Sequence, residues 1–172
     1  EGDLAEKLSP FHRAQAFLFR AQEATARKAF ADSLSLSGRA VELIPGDSGA
    51  CALHGAMAFK MREFQKAAKS FDCILQAKTD DPDAWAGWVR ATIAAGEPGK
   101  AQERLQSALD RSPKDARLNY WFGVVLLRQV LPKKAQMAFQ DAVALSPADV
   151  AAPLALAQMA LDAGDSKRAT AL

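Results

Sequence analysis

The chain has 172 residues, 49% of them apolar, and its 22 basic and 20 acidic residues leave a net charge of only +2. Such a length and apolar content suffice for an ordinary domain with its own core, and so even a charge balance argues against the basic stripe of a nucleic-acid binder. No apolar run approaches about 18 residues, so neither a membrane span nor direct membrane insertion is expected.

Residues 1–13 read as the tail of a preceding helix closed by Leu8-Ser9-Pro10, with His12 solvated. From residue 14 the chain reads as successive helical hairpins. The first, 14–47, is degenerate. Ala21 is its small residue, Arg20 falls at an apolar position, and Ser33 and Ser37 stand where an alanine and an aromatic recur later. Ala40, Val41, Leu43 and Pro45 keep the pattern. The second hairpin, 48–81, carries Gly55, Phe64, Ala67, Phe71, Ile74 and Leu75. His54 reads as a packed imidazole, because no second His, Cys or carboxylate stands at ligand spacing. Cys51 and Cys73 lie on its two helices and are expected to be free thiols, Cys51 as a small buried hydrophobe. A bridge would need their Cα atoms within roughly 7 Å, which spacing alone does not establish.

Thr79-Asp80-Asp81-Pro82-Asp83 could be read as a hard-cation site. Structurally, Asp81 is a helix N-cap and Pro82 the first helical residue. Asp47, Asp81 and Asp115 stand 34 apart, which favours capping, and no metal is expected. The third hairpin, 82–115, has Trp85 and Trp88 on one face, assigned to the core, then the turn Gly96-Glu97-Pro98-Gly99. That turn is no phosphate loop, since no GK[ST] follows. The fourth, 116–149, sets the pattern most clearly. Leu118, Phe122, Gly123, Val125 and Leu126 form one face of its first helix, and Ala135, Phe139, Ala142, Val143 and Leu145 one face of the second. Gly123 in mid-helix costs about 1 kcal/mol against alanine and is explained by the Phe139 ring packing against it. Pro132 fits a helix start, and Ser146-Pro147 closes the unit. The fifth, 150–172, has Pro153 in its first turn, then Leu156, Ala157, Gly164 and Ala169. The start at Glu1 and the stop within a second helix lead to the expectation that the chain is a segment of a longer array.

The register repeats every 34 residues: Ala67, Ala101, Ala135 and Ala169; Phe71, Leu105 and Phe139; Gly55, Val89, Gly123 and Ala157; and Pro45, Pro113 and Pro147, with Thr79 in the remaining slot. On these residues the chain resembles the tetratricopeptide repeat (TPR) family over about residues 14–172. The family's helix-A aromatic matches Trp85, whereas Asn119 takes that slot in the fourth unit and Cys51 in the second. The resemblance implies an all-α, right-handed superhelical solenoid of antiparallel helix pairs. The first helix of each pair, A, would line a concave groove, with the B helices forming the outer wall.

On that geometry the partner-facing stripe is Arg117, Tyr120, Trp121, Val124, Leu127 and Arg128 in the fourth unit, with Arg90 and Ile93 in the third and Phe59 and Lys60 in the second. Leu154, Gln158 and Leu161 continue it. Ala52, Ala56, Ala86 and Gly87 would leave room beside the Tyr120–Trp121 anchors. The stripe suits a helix or extended peptide with apolar anchors and acidic flanks. Only Arg117 is basic among the slots of the family's carboxylate clamp, and no asparagine ladder runs through Phe19, Leu53, Gly87, Trp121 and Ala155, so both specialisations are excluded. No nucleophile–base or paired-carboxylate set suggests catalysis, and no cofactor is expected. The expected function is a protein-interaction scaffold in a bacterial assembly or secretion system, cytoplasmic or periplasmic. The alternative is a substrate-positioning helical domain of a longer glycosyl- or methyltransferase. Self-association through exposed end helices is a further expected contact.

Overall fold

The computed structural model describes residues 8–164. The helix tail expected before Leu8 and the register position Ala169 lie outside them. Among the described residues there are nine helices and no strand: α1 Pro10–Ala26, α2 Phe30–Leu43, α3 Ser48–Lys60, α4 Phe64–Ala77, α5 Pro82–Ala94, α6 Pro98–Arg111, α7 Ala116–Arg128, α8 Pro132–Leu145 and α9 Ala151–Asp162. Contacts gather them into two compact units, one ending at Ala95 and the other beginning at Gly96.

The A helices start where the carboxylates predict. Asp47, Asp81 and Asp115 each accept a backbone N–H of the first turn, from Ala50 at 2.8 Å, Ala84 at 2.9 Å and Arg117 at 2.9 Å. Asp149 does the same for Ala151. Pro82, Pro98 and Pro132 open α5, α6 and α8, where a missing N–H costs nothing. One boundary differs from the sequence reading. Ser9 caps α1 and Pro10 is its first residue, so Ser9-Pro10 opens a helix four residues ahead of the expected start at residue 14. A Ser-Pro pair can close a helix or open one, since proline is barred from helix interiors but not from the first turn.

The hairpin turns follow a rule the sequence hides. Lys28, Arg62, Gly96, Val130 and Gly164 all have left-handed φ, between 59° and 91° with the B–A turn residue Gly46 included, and those five stand 34 apart. After α1, α3 and α7 the next N–H reaches back five residues, Ala29 to Ala24, Glu63 to Ala58 and Leu131 to Leu126, which is the Schellman closure. Glycine fits that φ freely. A β-branched valine there costs about 1–2 kcal/mol.

Within the first unit the Phe71 ring of α4 is seated between two glycines. A Cβ at Gly55 of α3 would fall 3.0 Å from the ring, and one at Gly87 of α5 only 2.5 Å away. The space at Gly87 is therefore filled from its own core. In the second unit Phe139, fully buried, fills the space at Gly123, where a Cβ would fall 2.6 Å away. In the degenerate first hairpin Ser33 and Ser37 are fully buried yet satisfied. Ser33 pairs with Thr25 at 2.7 Å, and Ser37 donates to the Ser33 carbonyl at 2.7 Å.

The slot shared by Cys51, Trp85 and Asn119 shows what the repeat demands there. Trp85, packed edge-on against Trp88, donates its indole N–H to the Thr79 carbonyl at 2.9 Å. Asn119 donates to the Pro113 carbonyl, the equivalent position 34 residues on, at 3.3 Å. Either side chain ties the A helix to the turn before it. Trp85→Phe is expected to cost about 1–2 kcal/mol, read as a lower melting temperature, because the Thr79 carbonyl loses its partner. Cys51 has no such donor and is instead bonded to Cys73, with Cα atoms 6.4 Å apart. The expectation of free thiols is thus overturned: packing of α3 on α4 brings the two sulfurs within bonding reach.

Candidate functional site

In the second unit the α7 stripe divides into a rooted part and a free part. Tyr120 and Val124 are half-buried and pack on the core formed by Phe139, Ala142, Ala152 and Leu156. The Tyr120 ring lies 5.7 Å from Phe139 and 5.0 Å, edge-on, from Trp121. Burial, then the Asp149 carboxylate, pushes the Tyr120 phenol above its usual pKa, since neither low dielectric nor a nearby anion favours phenolate. Trp121 is half-buried, and Leu127 and Arg128 are exposed. On α9, Leu154 and Leu161 are 64% and 53% exposed, and Gln158 donates to Asp162. An apolar strip of Trp121, Leu127, Leu154 and Leu161 is the part a partner could reach. Arg117 is exposed but paired with Asp115 at 3.6 Å, so it brings less positive charge than its sequence position suggests.

In the first unit three of the four candidates, Phe59, Lys60 and Arg90, pair among aromatic rings. Arg90 lies over the Phe59 ring at 5.3 Å, and Lys60 over Phe30 at 4.0 Å. Phe59 and Ile93 are half-buried while Lys60 and Arg90 are exposed. Phe59 also meets Phe64 edge-on at 5.3 Å. The cations thus cover aromatic faces, an interaction worth about 0.5–1 kcal/mol when exposed. Phe30, which the sequence reading passed over, belongs to this cluster.

His54 is packed on α2, its ring 3.6 Å from where a Gly38 Cβ would stand. Burial first, then the Lys66 charge, lowers its pKa, against a raising effect from Glu63. Its Nδ1 is buried with no hydrogen-bond partner among the described residues. The His12 ring bonds to Ser9 Oγ at 2.8 Å. Among the described residues no three metal-ligating side chains cluster.

The α7 ridge presents side chains without enclosing a cavity. Two cavities with apolar floors flank α8 instead. One of about 520 Å³ lies among α6, α7 and α8 over Leu109, Phe122, Leu126 and Met137. The other, about 410 Å³, lies between α8 and α9 over Val143, Leu156 and Met159. Period and residue type mark buried faces, so no sequence signal pointed to these clefts.

Residues 40–170 match the family described as the protein kinase G tetratricopeptide repeat. No curated protein sequence matches the chain. Among solved structures, MamA from Desulfovibrio magneticus RS-1 superposes with a TM-score of 0.65 at 20% identity, over 91% of this chain and 89% of that one. TTC0263, a TPR protein of Thermus thermophilus, gives 0.65 at 21% identity, over 92% and 87%. YrrB, described as a TPR protein with an unusual peptide-binding site, gives 0.57 at 17% identity, over 89% and 79%. At these identities the likeness shows an all-α, TPR-like fold.

Proposed function

The chain belongs to the protein kinase G tetratricopeptide-repeat family, and from that premise we propose that it is a non-catalytic protein-interaction scaffold holding a peptide or helix of a partner on its A-helix faces. The observation that carries this reading is the exposure of Leu127, Leu154 and Leu161, with the half-buried Trp121 and the exposed Arg128 on the same α7 helix as Leu127. Large apolar side chains held in water by rigid helices gain free energy when a partner covers them. The peptide-binding site named for YrrB supports the same use of the fold. The guest carries apolar anchors, with acidic residues meeting Arg128. Service in a bacterial assembly or secretion system fits such a module. The Cys51–Cys73 disulfide supports a non-reducing compartment, the periplasm over the cytoplasm.

A test must spare the core. Tyr120 packs on Phe139, so its removal would confuse folding with binding. Leu127→Ser combined with Arg128→Glu alters only exposed side chains. Partner recovery in a pull-down is expected to fall at least tenfold with the circular dichroism spectrum unchanged. Equal recovery from both proteins would remove the A-helix face as the binding surface.

A further inference from the structure

The α7–α8 turn breaks two local rules at once. Val130 holds φ 59° at a register position filled elsewhere by Gly96 and Gly164 or by the unbranched Lys28 and Arg62, and it alone among them is β-branched. It is 82% exposed, so no packing compensates for the strained backbone. Lys133 and Lys134 then occupy the first turn of α8, which has no acidic residue, although the helix dipole disfavours cations there. Local choices that oppose stability concentrate where function demands them.

The outcome is an apolar tip, Val130 with the partly exposed Leu131, among cations. Lys133 borders the cleft between α8 and α9, Lys134 borders the cleft among α6, α7 and α8, and Arg128 closes α7. Of the acids at neighbouring helix ends in this unit, Glu97 pairs with Lys100 and Asp162 accepts from Gln158. We propose that this tip docks on an anionic lipid bilayer, Val130 and Leu131 entering the headgroup layer while Lys133 and Lys134 meet lipid phosphates. Val130 and Leu131 line neither of those clefts, so the apolar tip itself has no concavity in which to clasp a peptide. A flat anionic surface meets the tip and its cations together. The contact is peripheral, for no described helix is long and apolar enough to cross a membrane. It centres on the turn and the start of α8 and shares only Arg128 with the partner-binding face, so the Lys133, Lys134 and Val130 changes test it apart from that reading.

Co-sedimentation with vesicles of phosphatidylcholine, alone or mixed with phosphatidylglycerol, tests this. Binding is expected only to the mixed vesicles and is expected to weaken as salt is raised. Lys133→Glu with Lys134→Glu should abolish it. Val130→Gly should move two readouts in opposite senses: the melting temperature rises as strain is relieved, while the vesicle-bound fraction falls several-fold. A turn with a merely structural role would shift the melting temperature alone. No sedimentation with mixed vesicles at low salt, or wild-type binding by Val130→Gly, would overturn the proposal.

Discussion

Gly123→Ala is expected to destabilise the second unit by about 2 kcal/mol, against the helix-propensity gain of about 1 kcal/mol that alanine would bring on an open helix face. The added Cβ would fall 2.6 Å from the Phe139 ring, and Phe139 is fully buried, so the ring has nowhere to retreat. Gly123→Trp should cost several kcal/mol for the same reason. Gly87→Ala, whose Cβ would stand 2.5 Å from Phe71, should behave alike. Gly38→Ala supplies the contrast: its Cβ would meet the His54 ring at 3.6 Å, an ordinary contact, so the same change there is expected to stabilise by about 1 kcal/mol. Urea titrations of the variants check both signs. Trimming the ring, as Phe139→Leu in the Gly123→Ala background, should recover part of the loss, the coupling expected of touching residues.

Loss of the Cys51–Cys73 bond is the second large effect. Twenty-two residues separate the cysteines, and releasing a loop of that size is expected to lower stability by about 3 kcal/mol through the freedom restored to the unfolded chain. Cys51→Ala with Cys73→Ala, or reductant added to the wild type, should lower the melting temperature by several degrees. Cys51 is fully buried, so part of the variant's loss is packing, and the reductant experiment separates the two. Thiol titration of the denatured, unreduced protein is expected to find none; two thiols would contradict the bond.

The fold was legible wherever one residue type answers one local demand. Asp47, Asp81 and Asp115 announce helix starts because a short carboxylate satisfies orphan N–H groups, and Gly123 announces Phe139 because only a missing side chain admits the ring. The Cys51–Cys73 bond was not legible, since cysteines on two helices say nothing of the rotation that brings sulfurs together. Gly87 misled for a related reason: a small residue signals close approach without saying from which side, and the ring of Phe71 arrives from the core. Lys28, Arg62 and Val130 hid the turn rule, because their side chains do not advertise left-handed backbone. The candidate stripe was only half legible. Helix α7 is apolar nearly all round, so its pattern could not separate Tyr120, rooted on Phe139, from Leu127 in solvent.

On the proposed function, a guest polypeptide lies on the A-helix face and not on the outer B-helix face. Photo-crosslinking tests it most directly, with a benzophenone amino acid placed at Leu127 on α7 or at Met137 on α8, both exposed. Adducts with the captured partner are predicted from position 127 and not from position 137. Adducts from 137 with none from 127 would contradict the account.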